Sequence, residues 1–337
     1  MSDKPLLKKA DFQSDQAIRW CPGCGDYAIL AQTQKTFPEI TEDKENTVFI
    51  SGIGCSSRFP YYMNTFGFHT IHGRAPTIAS GLKMANPELS VWLVTGDGDG
   101  FSIGGNHMIH LLRRNVDINV MLFNNRIYGL TKGQYSPTSE QGKVTYSTPM
   151  GSIDYPFKPT KLALGAEGSF VAKTIDKELK HLQAMIKRAN SHKGTSFIEI
   201  YQNCNIFNDG AFSHLTDRDT KEEQLLRLED GEPMIFGAEK DKGIYLDGIS
   251  PKVVKIGKDY SIDDIVVHNE QDKFIGDMLA NFTASEEFPE TIGVLYCKER
   301  ATYDDLMSAQ MKEAQKGHKR SKGIYELLNA GDTWEVK

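Results

Sequence analysis

The sequence predicts an α/β fold in which a parallel sheet carries helices on both faces. Four short apolar runs have the length and composition of buried strands: residues 46–54, 89–100, 117–125 and 194–202. Three stretches between them have helical patterns: residues 74–87, 105–115 and 176–192, the last with Asp176 as its predicted N-cap. Strands that alternate with helices form βαβ units, which build parallel sheets. An antiparallel α+β sheet is the alternative fold.

The alternation ends near residue 215, and this sets the predicted domain boundary. Residues 1–215 are expected to form the α/β domain, and residues 216–337 a C-terminal extension that docks on it or on a partner subunit. The extension opens on a highly charged stretch at 216–233. It continues through a predicted hairpin at 233–248 and contains a final strand at 292–297. Because it carries no glycine-rich loop, its expected role is packing.

Composition and charge exclude several classes of protein. The 337 residues carry 39 basic and 45 acidic side chains, a net charge of −6, which argues against nucleic acid as the main partner. No apolar run approaches the ~18 residues that a membrane-spanning helix needs, and the first residues lack the apolar stretch of a signal peptide. Five cysteines do not make a secreted disulfide scaffold. The expected location is the cytoplasm.

A strand, a glycine-rich turn and a helix follow one another in VTGDGDGFSIGGNH, residues 94–107. Such glycines let backbone N–H groups approach a ligand, and the following helix N-terminus attracts negative charge. A dinucleotide fingerprint would place its acidic residue after the next strand, whereas Asp97 lies between Gly96 and Gly98 in the turn itself. A carboxylate faces a diphosphate only across a divalent cation such as Mg²⁺. We therefore expect a diphosphate site with Asp97 as the Mg²⁺ ligand and Asp99 as the next-best acid.

The neighbouring predicted strand ends in a second group of oxygen ligands. In DINVMLFNNRIYGL the apolar run stops at Asn124-Asn125. Both turns should therefore open on one edge of the sheet, where α/β proteins bind ligands. A GDG turn alone is more often only a tight turn, but GDG followed by NN after the next strand is typical of thiamine diphosphate sites. We predict the side chains of Asp97 and Asn125 and the carbonyl of Ile127 as the Mg²⁺ ligands.

The cysteines are the candidates for an electron acceptor. Thiamine diphosphate chemistry on a 2-oxo acid yields a strong reductant, and the sequence has no flavin or nicotinamide fingerprint. Cys21 and Cys24 form a CPGC pair, and Cys55 and Cys204 each follow a predicted strand. Four thiolates hold one [4Fe–4S] cluster. Zinc is an alternative, although such sites usually have two CxxC pairs, and a redox disulfide would need only the first pair. Cys297 is expected to be a core thiol.

Six motifs together resemble one enzyme family. They are CPGCG, GIGCSS, HGRA, GDGDGFSIGG, NNRIYGLTKGQYSPT and NCNIFND, and the resemblance extends over about residues 15–300. The chain is similar to the β-subunits of 2-oxoacid:ferredoxin oxidoreductases, with most likeness to the 2-oxoglutarate branch. The resemblance implies a heteromeric enzyme that makes acyl-CoA and CO₂ from a 2-oxo acid and coenzyme A and reduces ferredoxin. It also implies that the four cysteines hold the cluster and that Asp97 and Asn125 hold Mg²⁺.

Three rival functions stay open at this point. The first is a pyruvate-preferring or broad-specificity member of the same family. The second is a non-redox thiamine diphosphate decarboxylase or carboligase subunit with structural zinc. The third is a catalytically silent binding subunit, against which the intact magnesium turn argues.

Other residues near the strand ends are candidate cofactor or substrate contacts. Ser56 and Ser57 follow Cys55 and are expected to reach the diphosphate or the cluster. Leu130 and Thr131 follow the magnesium turn closely and are candidates for contacts with the thiazolium ring or the substrate.

The loop GFHTIHGRA supplies further polar candidates. His72, together with His69, is expected to line the active site, with a plain structural role as the alternative. Arg58 and Arg74 are candidates for binding a carboxylate or a coenzyme A phosphate, with ion pairs as the alternative.

A second polypeptide is expected to complete the site. Thiamine diphosphate needs a carboxylate against its aminopyrimidine ring, and in enzymes of this kind that residue comes from a second α/β domain. Residues 1–215 are used by the magnesium turns and the cysteines, and residues 216–337 show no run of βαβ units. The resemblance agrees, since the family pairs this subunit with a larger α-subunit. A heterodimer, or a dimer of heterodimers, is the expected assembly.

Overall fold

The computed structural model describes residues 6–317 and 323–336. Within these ranges the strands are β1 (Thr47–Ser51), β2 (Phe66–His69), β3 (Ser90–Gly96), β4 (Asn119–Asn124), β5 (Phe170–Ile175), β6 (Ser196–Tyr201), β7 (Leu225–Arg227), β8 (Ile235–Phe236), β9 (Lys242–Asp247), β10 (Ser250–Lys255) and β11 (Glu290–Cys297). The α-helices are α1 (Asp26–Ile40), α2 (Phe59–Tyr62), α3 (Ala75–Ala85), α4 (Gly105–Arg114), α5 (Pro159–Gly165), α6 (Leu179–Ser191), α7 (Ser213–Thr216), α8 (Lys221–Gln224), α9 (Lys273–Asn281), α10 (Tyr303–Gly317) and α11 (Ile324–Leu328).

The main sheet confirms the predicted α/β architecture. Its strand order is β2-β1-β3-β4-β6-β5-β11-β7, and every neighbouring pair is parallel except β5 with β11. The antiparallel α+β alternative is therefore wrong, although two strands, β11 and β7, run against the other six. The predicted hairpin at 233–248 is also confirmed, because β8 and β9 pair antiparallel and β10 extends them into a small second sheet.

Two strands of the main sheet come from the region beyond residue 215. β11 pairs with β5, and the short β7 pairs with β11 at the sheet edge. Part of the predicted extension is thus built into the sheet of the first region. The boundary at 215 itself stays a prediction.

Helices cover both faces of the sheet because successive side chains of each strand point to opposite sides. Ile50 of β1 packs into a core with helices α3, α4, α5 and α9. Phe49, its neighbour, packs into a second core with α1 and α6. Trp92 of β3 is fully buried on this second side. The sheet is therefore buried on both faces over its centre, which explains why its strands read as continuous apolar runs.

Several features of this region differ from the sequence predictions, and three of them bear on the site. Asp176 does not cap α6, since the helix begins at Leu179 and Asp176 Oδ2 accepts a hydrogen bond from the Asn203 N–H at 2.9 Å. β5 was missed because Lys173, with no exposed surface, interrupts its apolar run. α1, which begins directly after the CPGCG motif, is also absent from the sequence predictions. Among the described residues, no helix combines the length and apolar character needed to cross a membrane.

Candidate active site at the carboxyl edge of the sheet

The carboxyl ends of β1, β3 and β4 surround a cavity of about 140 Å³. Parallel strands end at the same edge, so the loops that follow them meet there. The predicted site residues that line this cavity are Cys55, Ser56, His72, Gly96, Asp97, Gly98, Asp99, Asn125, Ile127, Leu130 and Thr131. Ser57 is not among the lining residues; its carbonyl accepts from the Ser51 hydroxyl at 2.7 Å. The structure therefore brings together nearly the whole predicted set, whose individual roles stay predictions.

Close packing of two turns explains the glycines after β3. A side chain at Gly98 would lie 2.0 Å from the Tyr128 ring, so only glycine fits there. The Tyr128 hydroxyl donates to the Gly98 carbonyl at 3.2 Å. This contact locks the GDG turn against the turn that follows β4. The two predicted halves of the site are thus held side by side.

Asp97 is the carboxylate that this arrangement presents to a cation. It is 2% exposed, and its Oδ2 accepts from the hydroxyls of Ser136 and Thr138, each at 2.5 Å. Burial raises the pKa of Asp97, and the two hydroxyls only partly oppose this. A divalent cation would stabilise the ionised form at such a position. Ser136 and Thr138 lie far along the chain from Asp97, and sequence reasoning missed both.

Asp99 has a different environment, in which four donors occupy its carboxylate. Oδ1 accepts from the N–H groups of Ile53 (3.0 Å) and Gly73 (2.7 Å) and from His72 Nδ1 (2.6 Å). Oδ2 accepts from the Thr95 hydroxyl at 2.6 Å. Asp99 thus ties the loop after β1 to the His72 loop, which favours Asp97 over Asp99 as the Mg²⁺ ligand. His72 donates through Nδ1, so its Nε2 is the atom left for a ligand in the cavity.

The turn after β4 has a strained backbone that supporting contacts hold in place. Arg126 lies in the left-handed region with φ 56° between Asn125 and Ile127. The Asn125 carbonyl accepts from Asn208 Nδ2 at 2.9 Å, and the Ile127 N–H donates to Asn125 Oδ1 at 3.2 Å. The guanidinium of Arg126 lies over the ring of Phe212, 4.7 Å from its centroid. These contacts fix the positions of the two predicted oxygen ligands.

Ser56 supplies a hydroxyl with no protein partner in the described part of the chain. Its Oγ is buried, and a methyl group on Gly96 would lie 3.4 Å from it. The hydroxyl is therefore next to the GDG turn at the wall of the cavity. A buried donor without a partner costs free energy unless a ligand accepts from it. A phosphate oxygen fits this requirement.

The four predicted cluster cysteines gather at the same edge. A methyl group on Gly129 would lie 3.6 Å from Cys204 Sγ and 3.7 Å from Cys55 Sγ. The Cys24 N–H donates to the Cys21 carbonyl at 3.0 Å in the turn before α1. Burial raises the pKa of Cys55 to about 12, and nearby Asp26, Cys204 and Cys21 add to this. Burial also raises the pKa of Cys24, with Asp26, Cys204 and Cys55 contributing. The thiols of Cys24 and Cys55 are therefore close enough to Cys204 for its charge to act on both.

The spacing of these thiols bears on the choice between zinc and a cluster. Zinc with Zn–S bonds of about 2.3 Å would bring sulfur atoms to about 3.8 Å from one another. In residues 6–317 and 323–336 no three His, Cys, Asp or Glu side chains are close enough to hold a single metal ion. A four-iron cluster is larger than one ion and holds its thiolates further apart. Both the cluster and the zinc alternative therefore stay predictions.

Asp26 is a site residue that sequence reasoning missed. It is the first residue of α1, is 1% exposed and lines the cavity beside Cys55. Neither carboxylate oxygen has a hydrogen-bond partner within the described residues. Burial, with a smaller contribution from Asp176, raises the pKa of Asp26 to about 7. The only sequence signal was its place directly after CPGCG.

A second, cationic cavity adjoins the first. It measures about 370 Å³ and shares Ile53, Gly54 and Leu130 with the first cavity. Its other lining residues include Arg19, Arg58, Tyr61, Tyr62 and His69. Arg74 lies elsewhere, with Nη1 2.9 Å from His107 Nε2. The exposed side chain of Leu130 therefore stands between a carboxylate-lined and an arginine-lined space.

The fold and the site define a class of protein. A diphosphate-type turn, a buried carboxylate and an amide-bearing turn at one sheet edge are the parts of a thiamine diphosphate domain. Residues 52–200 match the family model described as the thiamine pyrophosphate enzyme C-terminal binding domain.

Similar proteins place the chain in one family of that class. It is 49% identical to the 2-oxoglutarate oxidoreductase subunit KorB of Mycobacterium tuberculosis, over 99% of this chain and 90% of the relative. It is 42% identical to subunit beta of 2-oxoacid:ferredoxin oxidoreductase 1 of Aeropyrum pernix, over 66% of this chain and 68% of the relative. The chain belongs to the β-subunits of the 2-oxoacid:ferredoxin oxidoreductases.

A solved structure extends the likeness to the whole fold. The 2-oxoglutarate:ferredoxin oxidoreductase of Magnetococcus marinus, determined with 2-oxoglutarate, coenzyme A and succinyl-CoA bound, superposes with a TM-score of 0.77 at 31% identity. The match covers 98% of this chain and 98% of that chain. The region beyond residue 215 is therefore part of the shared fold.

Proposed function

We propose that the chain is the β-subunit of a 2-oxoglutarate:ferredoxin oxidoreductase. The enzyme decarboxylates 2-oxoglutarate oxidatively, joins the resulting acyl group to coenzyme A as succinyl-CoA, and passes the electron pair to ferredoxin. The observation that carries the proposal is the double role of Cys55. It lines the cofactor cavity, and its sulfur flanks Gly129 together with that of Cys204. The site of decarboxylation would then lie next to the cluster that accepts the electrons.

The residues present fit thiamine diphosphate with Mg²⁺. Asp97, Asn125 and the Ile127 carbonyl would hold the cation, and Ser56 with the turn around Gly98 would bind the diphosphate. The unpartnered Ser56 hydroxyl and the cation-free surroundings of the Asp97 carboxylate support this assignment. When bound, thiamine diphosphate supplies the carbanion chemistry that decarboxylation of a 2-oxo acid requires.

Cys21, Cys24, Cys55 and Cys204 would hold one [4Fe–4S] cluster. The chain has five cysteines, and eight would be needed for two such clusters. Burial raises the pKa values of Cys24 and Cys55, so these two thiols would bind as thiolates only when a metal centre neutralises them. Asn208 donates to the Asn125 carbonyl at 2.9 Å, and its N–H donates to the Cys204 carbonyl at 2.9 Å. One residue thus ties the Cys204 loop to the magnesium turn.

The arginine-lined cavity supports a dicarboxylate as substrate. Arg58 Nε donates to the Tyr62 hydroxyl at 3.0 Å, and within residues 6–317 and 323–336 its two Nη groups have no hydrogen-bond partner, which leaves them for an anion. Arg19 and His69 line the same cavity, which opens towards the cofactor past Leu130. The second carboxylate of 2-oxoglutarate would find its counter-charge there. Pyruvate has no second carboxylate that could bind in the arginine-lined cavity.

An exposed apolar surface beside the site supports a partner subunit. Phe66 and Phe68 on the edge strand β2 are 63% and 49% exposed, and Ile71, next to His72, is 77% exposed. Apolar side chains of this size grouped at a sheet edge are typical of a protein interface. An α-subunit on this surface would face the cavity and supply the carboxylate for the aminopyrimidine ring.

Anaerobic turnover of the complex with its α-subunit tests the proposal. With coenzyme A and a viologen dye, 2-oxoglutarate should give a higher kcat/KM than pyruvate. The chain alone, loaded with cluster, Mg²⁺ and thiamine diphosphate, should reduce no dye until the partner is added. A higher kcat/KM for pyruvate would overturn the substrate assignment, and turnover by the lone chain would overturn the shared site.

A further inference from the structure

A line of buried polar contacts joins the centre of the sheet to the turn that carries Asp97. Glu199 of β6 has no exposed surface, and its Oε1 accepts from Asn124 Nδ2 at 2.7 Å. Asn124 Oδ1 lies 2.9 Å from the Thr138 hydroxyl. The same hydroxyl lies 2.5 Å from Asp97 Oδ2, so its single proton is shared between the Asn124 amide oxygen and the Asp97 carboxylate. Glu199 is therefore at one end of the line, and the predicted Mg²⁺ ligand at the other.

Asn124 also controls the turn that follows it. Its Oδ1 accepts from the N–H of Arg126 at 3.2 Å, and Arg126 is the residue in the left-handed conformation. That conformation determines where Asn125 and the Ile127 carbonyl point. Because Glu199 holds the amide of Asn124 in one orientation, it acts on both halves of the proposed magnesium site.

An ion pair explains only part of the environment of Glu199. The charge of buried Lys173 opposes the burial that raises the pKa of Glu199, but the Lys173 ammonium donates its hydrogen bonds to Glu290 Oε1 at 2.7 Å and to the Thr283 hydroxyl at 2.6 Å. Glu199 Oε2 has no hydrogen-bond partner among the described residues, and Glu199 lines a separate cavity of about 290 Å³. Burial raises the pKa of Glu199, and the charge of Lys173, the hydrogen bond from Asn124 and the charge of Arg126 only partly oppose it. Among the described residues Asn124 supplies the one side-chain hydrogen bond to Glu199, and this bond links Glu199 to the turn after β4.

We propose that Glu199 is a positioning residue for the magnesium site, acting through Asn124 and Thr138 on Asp97 and on the turn of Asn125. The inference rests on the proposed function, because it assumes that this site binds Mg²⁺ with thiamine diphosphate. Substitution of a residue that hydrogen-bonds to a metal ligand, and so orients it, typically weakens metal binding roughly 10- to 100-fold.

The test compares two variants of equal length at one position. Glu199→Met removes the acceptor, whereas Glu199→Gln keeps an acceptor oxygen for Asn124. The α/β complex, freed of cofactor, is titrated with Mg²⁺ at saturating thiamine diphosphate, and binding is followed by calorimetry. We expect Glu199→Met to weaken Mg²⁺ binding roughly 10- to 100-fold and Glu199→Gln to restore most of the affinity. The visible absorption of the cluster should be unchanged in both.

Two further variants separate positioning from general damage. Thr138→Val, nearly isosteric, breaks the line at its middle and should weaken Mg²⁺ binding without adding fully to Glu199→Met, because both act through one path. Tyr201→Phe removes only the hydroxyl that donates to Glu290 at 3.1 Å and should leave Mg²⁺ affinity unchanged.

The outcomes distinguish this inference from the proposed function. Wild-type affinity in Glu199→Met, or equal losses in Glu199→Met and Tyr201→Phe, would overturn the positioning role. If Glu199→Met does not fold, Thr138→Val with wild-type affinity would overturn it. A wild-type complex that binds neither Mg²⁺ nor thiamine diphosphate would overturn the proposed function itself.

Discussion

The two edges of the main sheet treat buried charge in opposite ways. At the carboxyl edge, Asp26 and Asp97 are buried and have no cation among their described hydrogen-bond partners. At the amino edge, Lys83 is 4% exposed and its ammonium lies 3.0 Å from Asp117 Oδ2, and Lys193 approaches the same carboxylate at 3.2 Å. The carboxyl edge therefore has buried carboxylates whose charge a bound cation could neutralise. At the amino edge, lysine side chains of the chain itself neutralise the buried carboxylate.

The pKa values reflect this contrast. Burial raises the pKa of Asp97 at the carboxyl edge. Burial would also raise the pKa of Asp117, but the ammonium groups of Lys83 and Lys193 more than offset it and hold the pKa below its ordinary value. The amino-edge cavity is the larger, at about 590 Å³ against about 140 Å³. Cavity size is therefore a poorer guide to a functional site here than unpaired buried carboxylates.

The largest expected effect is at Asp97. Asp97→Ala should abolish thiamine diphosphate binding because the Mg²⁺ that links protein to diphosphate loses its anchor. Equilibrium binding to the complex is the measurement, and the cluster absorption should be retained. Asp117→Asn, at the opposite edge, is the matched control and should bind the cofactor normally. Near-normal binding by Asp97→Ala would remove Asp97 from the ligand set.

The next largest effect is expected for substitution of a cluster cysteine at the carboxyl edge. Cys204→Ser should lose the cluster, since three thiolates remain at the carboxyl edge. Cys297→Ser should keep it, because the thiol of Cys297 lies apart on β11, 3.8 Å from His192 Nδ1. Analysis of anaerobically prepared wild-type protein should give about four iron and four sulfide per chain. Stoichiometric zinc, or iron retained in full by Cys204→Ser, would contradict the assignment.

A smaller effect is expected where the two cavities meet. Leu130→Asn should change the ratio of kcat/KM between 2-oxoglutarate and pyruvate by about tenfold or more, because a pocket contact changes discrimination on that scale. Leu306→Asn on α10, with 58% exposure against 52% for Leu130, is the matched control. An unchanged ratio with activity retained would remove Leu130 from the substrate pocket.

The smallest effect is expected at the amino edge. Asp117→Asn should lower the free energy of unfolding by roughly 1–3 kcal/mol at pH 7, because it leaves the Lys83 ammonium without its carboxylate. The folded pKa of Asp117 lies below its unfolded value of about 3.9. Its contribution is therefore present above that pH and is lost as the pH falls through the folded pKa.

Urea unfolding at pH 7 and near pH 3 measures this difference. The gap between wild type and Asp117→Asn should shrink at the lower pH. Asp247→Asn, which breaks an exposed pair with Lys252, should leave the stability at either pH unchanged within the error of the measurement. A gap that is the same at both pH values would show that the Asp117 charge does not stabilise the fold.

Local patterns in the sequence determined the parallel sheet, its two covering layers and the edge at which the site lies. Strand, turn and helix signals are short-range, and in a parallel sheet their order along the chain decides which strand ends meet. Asp97, Asn125, Cys55 and Cys204 could therefore be assigned to one edge from the order of the strands alone. The hairpin of β8 and β9 was predictable for the same local reason.

Only the tertiary structure decided which groups surround those residues. Ser136 and Thr138 reach Asp97 across about forty positions of chain, and no local pattern records a contact of that range. The burial of Asp26 on α1 and of Lys173 in β5 depends on which helices and strands pack over them. Periodicity places charged residues at the surface by default, because burying a charge is costly unless the folded chain supplies its partner.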